Sequence, residues 1–180
     1  MYSDDYGDRQ ISGNSKNWRN RECSFSENTC DECLKNHGKI YPITTSPLDD
    51  RYHPFCMCLI KRMRTIVAGK ATQEGIGGTD FFLKQTGTLP PNYITKEAAL
   101  RAGWQPRKGN FDVLFPGRII GGDTYRNNNE KLPSGSSRNW READLNYSGG
   151  YRGADRILFS NDHLIFITKD HYKTFYEIID

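Results

Sequence analysis

Trp140-Arg141-Glu142-Ala143-Asp144-Leu145-Asn146-Tyr147 alternates between two kinds of side chain. Successive Cβ atoms leave a strand on opposite faces, so Ala143, Leu145 and Tyr147 share one side and Glu142, Asp144 and Asn146 the other. Arg156-Ile157-Leu158-Phe159-Ser160 repeats the pattern, with Ile157 and Phe159 on the core side and Arg156 opposite. If the two strands pair, Glu142, Asp144 and Arg156 share one open face. Asn161-Asp162 can then turn the chain into a further strand, Leu164-Ile165-Phe166-Ile167. His171 falls just past that strand, where loops carry functional groups.

Helical signals come earlier in the chain. Asp80 to Gln85 reads as a short amphipathic helix ending before Gly87. Thr95 is an N-cap for a helix over Lys96 to Ala102, stopped by Gly103. A cation in the first helical turn opposes the macrodipole. Lys96 is therefore either a tolerated small penalty or a cation facing an anionic substrate. Helices first and antiparallel strands afterwards give an α+β fold, with N-terminal helices packed on a C-terminal antiparallel β-sheet. Ten Tyr and nine Phe supply enough apolar bulk for a core. All five cysteines lie upstream of this region, so its stability must come from packing.

Glu142, Arg152, Arg156 and His171 lie within about thirty residues, an inventory suited to breaking RNA. The 2′-OH of RNA is a built-in nucleophile, and Glu and His can serve as base and acid near neutral pH. Positioned cations stabilise the charge that grows on phosphorus, and DNA lacks the 2′-OH. A carboxylate beside arginines stays ionised, as a base must. The same alternation of Glu and Arg also fits a solvated, salt-bridged face, and a lone His after a strand fits an ordinary surface residue.

A series of runs carries a resemblance: Leu-Pro-Pro-Asn-Tyr-Ile-Thr-Lys (89–96), Ala-Gly-Trp (102–104), Lys-Gly-Asn (108–110), Pro-Gly-Arg (116–118), Ile-Gly-Gly-Asp (120–123) and Lys-Leu-Pro (131–133), then residues 140–147, Asp-Arg-Ile-Leu (155–158) and Asp-His-Tyr (170–172). From about Glu74 to Asp180 the chain resembles the barnase-like family of secreted bacterial ribonucleases. The resemblance implies Glu142 as general base and His171 as general acid, with Arg152, Arg156 and Lys96 on the scissile phosphate. It implies that Tyr172 packs against base or phosphate, that Asp144 holds the two arginines and that Asp123 helps order the site. It also implies a 2′,3′-cyclic phosphate product, no cofactor for catalysis, and a barstar-like immunity protein as partner. The base-reading loop departs from the family. Where the family carries Asn-Arg-Glu-Gly, this chain has Asn127, Asn128, Asn129 and Glu130. The guanine-reading Glu thus becomes Asn129, and Glu130 can substitute only if the loop shifts.

The formal charge of +3 is too small to argue for nucleic acid by itself. No apolar run reaches 18 residues, so no membrane-spanning helix is expected. Met1 to Tyr6 lacks the basic-then-apolar pattern of a signal peptide, which points to another export route or to a longer chain. Residues 1–22 are polar and read as disordered or as the remnant of another domain. Residues 23–64 form a Cys-rich module, residues 65–79 a glycine-containing linker, and residues 80–180 the ribonuclease-like domain. Cys30, Cys33, Cys56 and Cys58 could hold a structural zinc ion tetrahedrally. Two disulfides or free thiols fit the same spacing, and Cys23 is left over. Cys30 to Pro42 followed by His53-Pro-Phe-Cys-Met-Cys58 resembles the end of phage Mu-type head-morphogenesis proteins. That resemblance implies a phage particle or upstream toxin domains as context. The combined expectation is a metal-independent endoribonuclease, the toxin module of a secreted or phage-delivered protein acting in a target cell's cytoplasm. A catalytically weak RNA-binding remnant of a phage head protein is the alternative.

Overall fold

The alternation at 140–147 builds the middle of a seven-stranded sheet. The computed structural model describes residues 63–135 and 137–180, together with the backbone of three upstream strands. Those are β1 (Trp18–Cys23), β2 (Ile40–Pro42) and β3 (Cys58–Arg62). They form an antiparallel sheet in the order β2-β1-β3. The central strand of this sheet, Trp18–Cys23, thus takes in the end of the 1–22 segment expected to be disordered or a remnant. Cys23 stands opposite Cys58 in the backbone register. Cys30, Cys33 and Cys56 lie outside the described residues, so the expected zinc set does too.

The large sheet follows: β4 (Arg64–Val67), helix α1 (Thr79–Thr86), β5 (Tyr93–Ile94), helix α2 (Lys96–Arg101), the short helix α3 (Phe111–Leu114) and β6 (Ile119–Tyr125). The chain ends with β7 (Trp140–Asp144), β8 (Arg156–Ser160), β9 (Ile165–Thr168) and β10 (Tyr176–Ile179). The sheet order is β4-β10-β9-β8-β7-β6-β5. Strands β6 to β10 are antiparallel, as expected, whereas both edges pair in parallel: β5 with β6 and β4 with β10. The result is α+β, with few helices and one dominant sheet.

The helix signals are borne out. Gly87 ends α1 in a left-handed conformation (φ 72°), with its N–H donating to Leu83 O. Thr95 Oγ1 caps α2 by accepting from Ala98 N at 3.2 Å. One face of the sheet packs Ala143, Leu145, Ile157, Ile165, Ile167 and Ile178 against Leu83 of α1. A smaller core gathers Ala99 of α2 with Trp104, Phe111 and Ile120.

Two expectations need correction. Residues 65–79, expected to be a linker, include Thr65 to Val67 of β4, which pairs with the last strand of the chain. The turn after it is clamped by the buried Asp80 carboxylate, which accepts from Gly69 N at 2.7 Å, Ala71 N at 3.0 Å and Thr72 Oγ1 at 2.8 Å. The second correction concerns the sheet face carrying Glu142, which is only partly open. Leu158 and Phe166 on that face are buried against Leu132 and Trp140. The loop between β6 and β7 folds back to cover it, adding apolar residues that no strand period announces.

Candidate active site on the sheet

The pairing of β7 with β8 puts Asp144 opposite Arg156 and Glu142 opposite Leu158. The expected face therefore forms, but its charges differ in exposure. Asp144 and Arg156 are buried, while the Glu142 side chain keeps 12 % of its surface exposed. Asp144 receives a two-pronged contact from Arg152: Nε donates to Oδ2 at 2.7 Å and an Nη to Oδ1 at 2.6 Å. Arg156 Nε lies 3.0 Å from the same carboxylate, close enough for an ion pair but not aligned for a hydrogen bond. An Arg156 Nη atom donates to the carbonyls of Gly153 and Asp155. Burial works against the charge of Arg152, but its bonds to Asp144 outweigh this and raise its pKa. Asp144 thus forms an ion pair with both guanidiniums.

Strand β6 delivers Asp123. Its register with β7 shifts between Gly121 and Asp123, so Gly122 (φ 93°) is an extra residue and Asp123 comes to face Glu142. A side chain at Gly121 would collide with the Ala143 Cβ, which explains the glycine there. Asp123 accepts from the backbone N–H of Lys96 through both oxygens, at 3.1 and 2.9 Å. An anion at this helix start suits the macrodipole and fixes the first residue of α2. Lys96 Nζ then reaches Glu142 Oε1 at 3.1 Å.

The other Glu142 oxygen accepts from the Tyr172 hydroxyl at 2.6 Å. Burial, followed by the bond to Glu142 and its charge, pushes the phenol pKa well above its usual value, so the hydroxyl stays a donor. Tyr172 also stacks on Tyr125, ring centroids 5.5 Å apart. The exposed His171 packs edge-on against Tyr172 at 4.8 Å. Both residues hold left-handed backbone angles (φ 55° and 67°), a strained conformation that needs support. Asp170 supplies it by accepting from Lys173 N, Thr174 N and Thr174 Oγ1. Thr168 Oγ1 accepts from Tyr172 N at 2.9 Å. The hydrogen bonds from Thr174 hold the Asp170 carboxyl well below the usual carboxylate range.

Beside this cluster lies the loop of Asn127, Asn128, Asn129 and Glu130. Asn127 was expected to meet substrate, but both ends of its amide brace the loop: Nδ2 donates to Leu132 O at 2.6 Å and Oδ1 accepts from Leu132 N at 3.1 Å. Glu130 occupies a left-handed position (φ 51°), and its N–H closes a turn on Asn127 O. The Asn129 side-chain oxygen faces Lys131 N at 3.4 Å. The loop is thus closed on itself by these bonds. Sequence reasoning missed Tyr125, whose only signal was its alternation with Asp123, and Lys131, whose Nζ donates to Tyr172 O at 2.9 Å. It also missed the hydrogen bonds of Thr168 and Asp170, which leave no local pattern.

Among the described residues, no group of three or more His, Cys, Asp or Glu is arranged to hold a metal, and no helix is long and apolar enough to cross a membrane. A family model described as ribonuclease matches residues 80–179. The chain is 49 % identical over 102 residues to a ribonuclease of Heyndrickxia coagulans, covering 57 % of this chain and 93 % of that protein. It is equally similar to a ribonuclease of Bacillus intermedius, over 57 % of this chain and 62 % of that longer protein.

Proposed function

The chain belongs to the ribonuclease family, and on that premise we propose that it cuts single-stranded RNA internally by metal-independent transphosphorylation. Barnase-type ribonuclease activity follows from the family; the mechanism and the residue roles are the proposal. The observation that carries it is the Glu142 carboxylate, held between Lys96 Nζ and the Tyr172 hydroxyl beside two arginines locked on Asp144. Each Glu142 oxygen uses one lone pair on these partners, and a second remains for a proton.

Glu142 takes the proton of the 2′-OH, and the 2′ oxygen bonds to phosphorus. Negative charge grows on the phosphoryl oxygens, against Lys96, Arg152 and Arg156. The bond to the 5′ oxygen breaks as His171 protonates that oxygen. The products are a 2′,3′-cyclic phosphate and a 5′-hydroxyl, with the proton gained by Glu142 matching the one lost by His171. Preorganised cations and acid–base transfer supply the rate. Among the loop residues, Asn128, Asn129 and Glu130 are the ones available to a base, because the Asn127 amide is committed to Leu132. An amide at Asn129 lacks a carboxylate's charge and second acceptor, so guanine preference is weaker than in the family.

Cleavage of a mixed-sequence RNA in EDTA by wild type and Glu142→Ala tests this, with the cut sites mapped. The variant should lose more than roughly a hundredfold. Equal low activity in both would favour the RNA-binding reading. The resemblance of the Cys-rich segment supports a wider proposal: that the nuclease is the toxic module of a secreted or phage-delivered protein, countered in its producer by an acidic, barstar-like immunity protein.

A further inference from the structure

The antiparallel pairing of β1 with β3 places two cysteines in direct opposition. Five consecutive residues match without a slip, from Arg19 against Arg62 to Cys23 against Cys58. Residues directly opposite in an antiparallel pair share one face of the sheet. Their Cα atoms lie about 4.5 Å or about 5.5 Å apart, depending on whether the pair exchanges hydrogen bonds. A disulfide spans Cα separations of about 4.4–6.8 Å, so either kind of pair falls within its reach. A slip of one residue would move the two cysteines to opposite faces.

The place in the sheet gives such a bond something to hold. Strand β2 pairs with β1 only at Trp18 to Asn20, so among the described residues the register at Cys23 is two strands wide. A two-stranded ladder is marginal in water. At its other end Arg19 stands opposite Arg62, and like charges directly opposite weaken a pair. Only Met63 separates β3 from β4, the edge strand of the seven-stranded sheet. A tie at Cys58 therefore anchors the strand that leads into that sheet.

We propose that Cys23 and Cys58 form a cross-strand disulfide, made in an oxidising compartment and opened by cytosolic thiols. The inference is independent of the cleavage chemistry. It takes Cys58 out of the four-cysteine zinc set and gives Cys23, left over by the sequence spacing, a partner. The oxidant is itself a disulfide, that of oxidised glutathione or of a thiol oxidoreductase. One cysteine thiolate attacks it and displaces a thiol; the second attacks the resulting mixed disulfide and displaces the other. One S–S bond forms and one breaks, and the two electrons and two protons lost by the cysteines end on the two released thiols. Excess thiol runs the exchange backwards, so the bond lasts outside the cell and opens in a cytosol.

The test incubates the full chain with reduced or oxidised glutathione in EDTA, which keeps a metal from holding Cys58 as thiolate. Free thiols are alkylated in denaturant, and the protein is cut without reductant by trypsin and a glutamate-specific protease. That digestion separates Cys23 (residues 23–27) from Cys30 (28–32), Cys33 (33–35) and the 52–61 peptide with Cys56 and Cys58. In oxidised glutathione the 23–27 and 52–61 peptides should emerge joined in mass spectra, with fragment ions placing the bond on Cys58. Alkylated Cys23 should fall more than roughly tenfold. Cys56→Ser should keep the joined pair, and Cys58→Ser should abolish it. A Cys23 that stays alkylated, that carries only glutathione, or that bonds to Cys30, Cys33 or Cys56 overturns the proposal. These readings come from wild type, so a variant that fails to fold does not obscure them.

Discussion

Glu177→Gln should remove a pH dependence from the stability of the fold. Glu177 lies in β10 between Phe166 of β9 and Thr65 of β4 in the register, and only 6 % of it is exposed. Its Oε2 has no hydrogen-bond partner. Burial raises its carboxyl from 4.5 to about 7, with the Lys84 charge pulling the other way. The folded state therefore holds a proton that the unfolded chain releases at lower pH. The stability this contributes is fully present below about 4.5 and is lost as pH rises through about 7. At about 1.4 kcal/mol per pH unit, the loss comes to roughly 3 kcal/mol. Glutamine keeps the shape and removes the titration. Urea denaturation of wild type and variant at pH 4, 5, 6, 7 and 8, read at constant slope, gives the difference directly. Other carboxylates act on both proteins alike. The gap between the curves should widen by about 3 kcal/mol in favour of glutamine from the acid end to pH 8. Parallel curves across that range would refute the reasoning.

Asp144→Ala leaves Arg152 and the buried Arg156 side by side without their shared counter-charge. Removing one partner of a buried ion cluster costs about 3–5 kcal/mol, which chemical denaturation will read; a loss below about 1 kcal/mol would mean that water already serves the arginines. The immunity proposal predicts that the product of a neighbouring gene co-purifies with the nuclease and titrates its activity to zero at equal stoichiometry. Absence of both binding and inhibition would remove that proposal while leaving the cleavage chemistry untouched.

The period-two alternation made β7 and β8 legible, because a one-residue slip would turn either strand's apolar set out of the core. That register brings Asp144 to Arg156, so the centre of the site was readable too. What the alternation could not give was what covers each face. Arg156 reads as exposed from its place opposite Ile157, yet it is buried beside the Asp144 carboxylate. Strand β4 was missed because Arg-Thr-Ile-Val is four residues long and runs into a glycine-containing turn, while its partner β10 lies more than a hundred residues downstream. A short parallel edge strand leaves no local trace; only its docking at Asp80 and along β10 makes it a strand.

The burial of the Glu142 face also bears on what the site can do. Had the Glu142 face been open, Arg152 and Arg156 would be mobile surface side chains, screened by water and salt. The burial of Asp144 and Arg156 lowers the local dielectric, which strengthens every charge interaction and makes an unpaired charge costly. Asp144 then has to be present for the fold as well as for the arginines. By contrast Lys96, with 38 % of its side chain exposed, and His171 stand at the rim, where a substrate can reach them. Asp144 fixes the two arginines that face the phosphate, and the rim groups stand open to it. A residue's depth, more than its position in the alternation, therefore decides whether its loss is felt in stability or in rate.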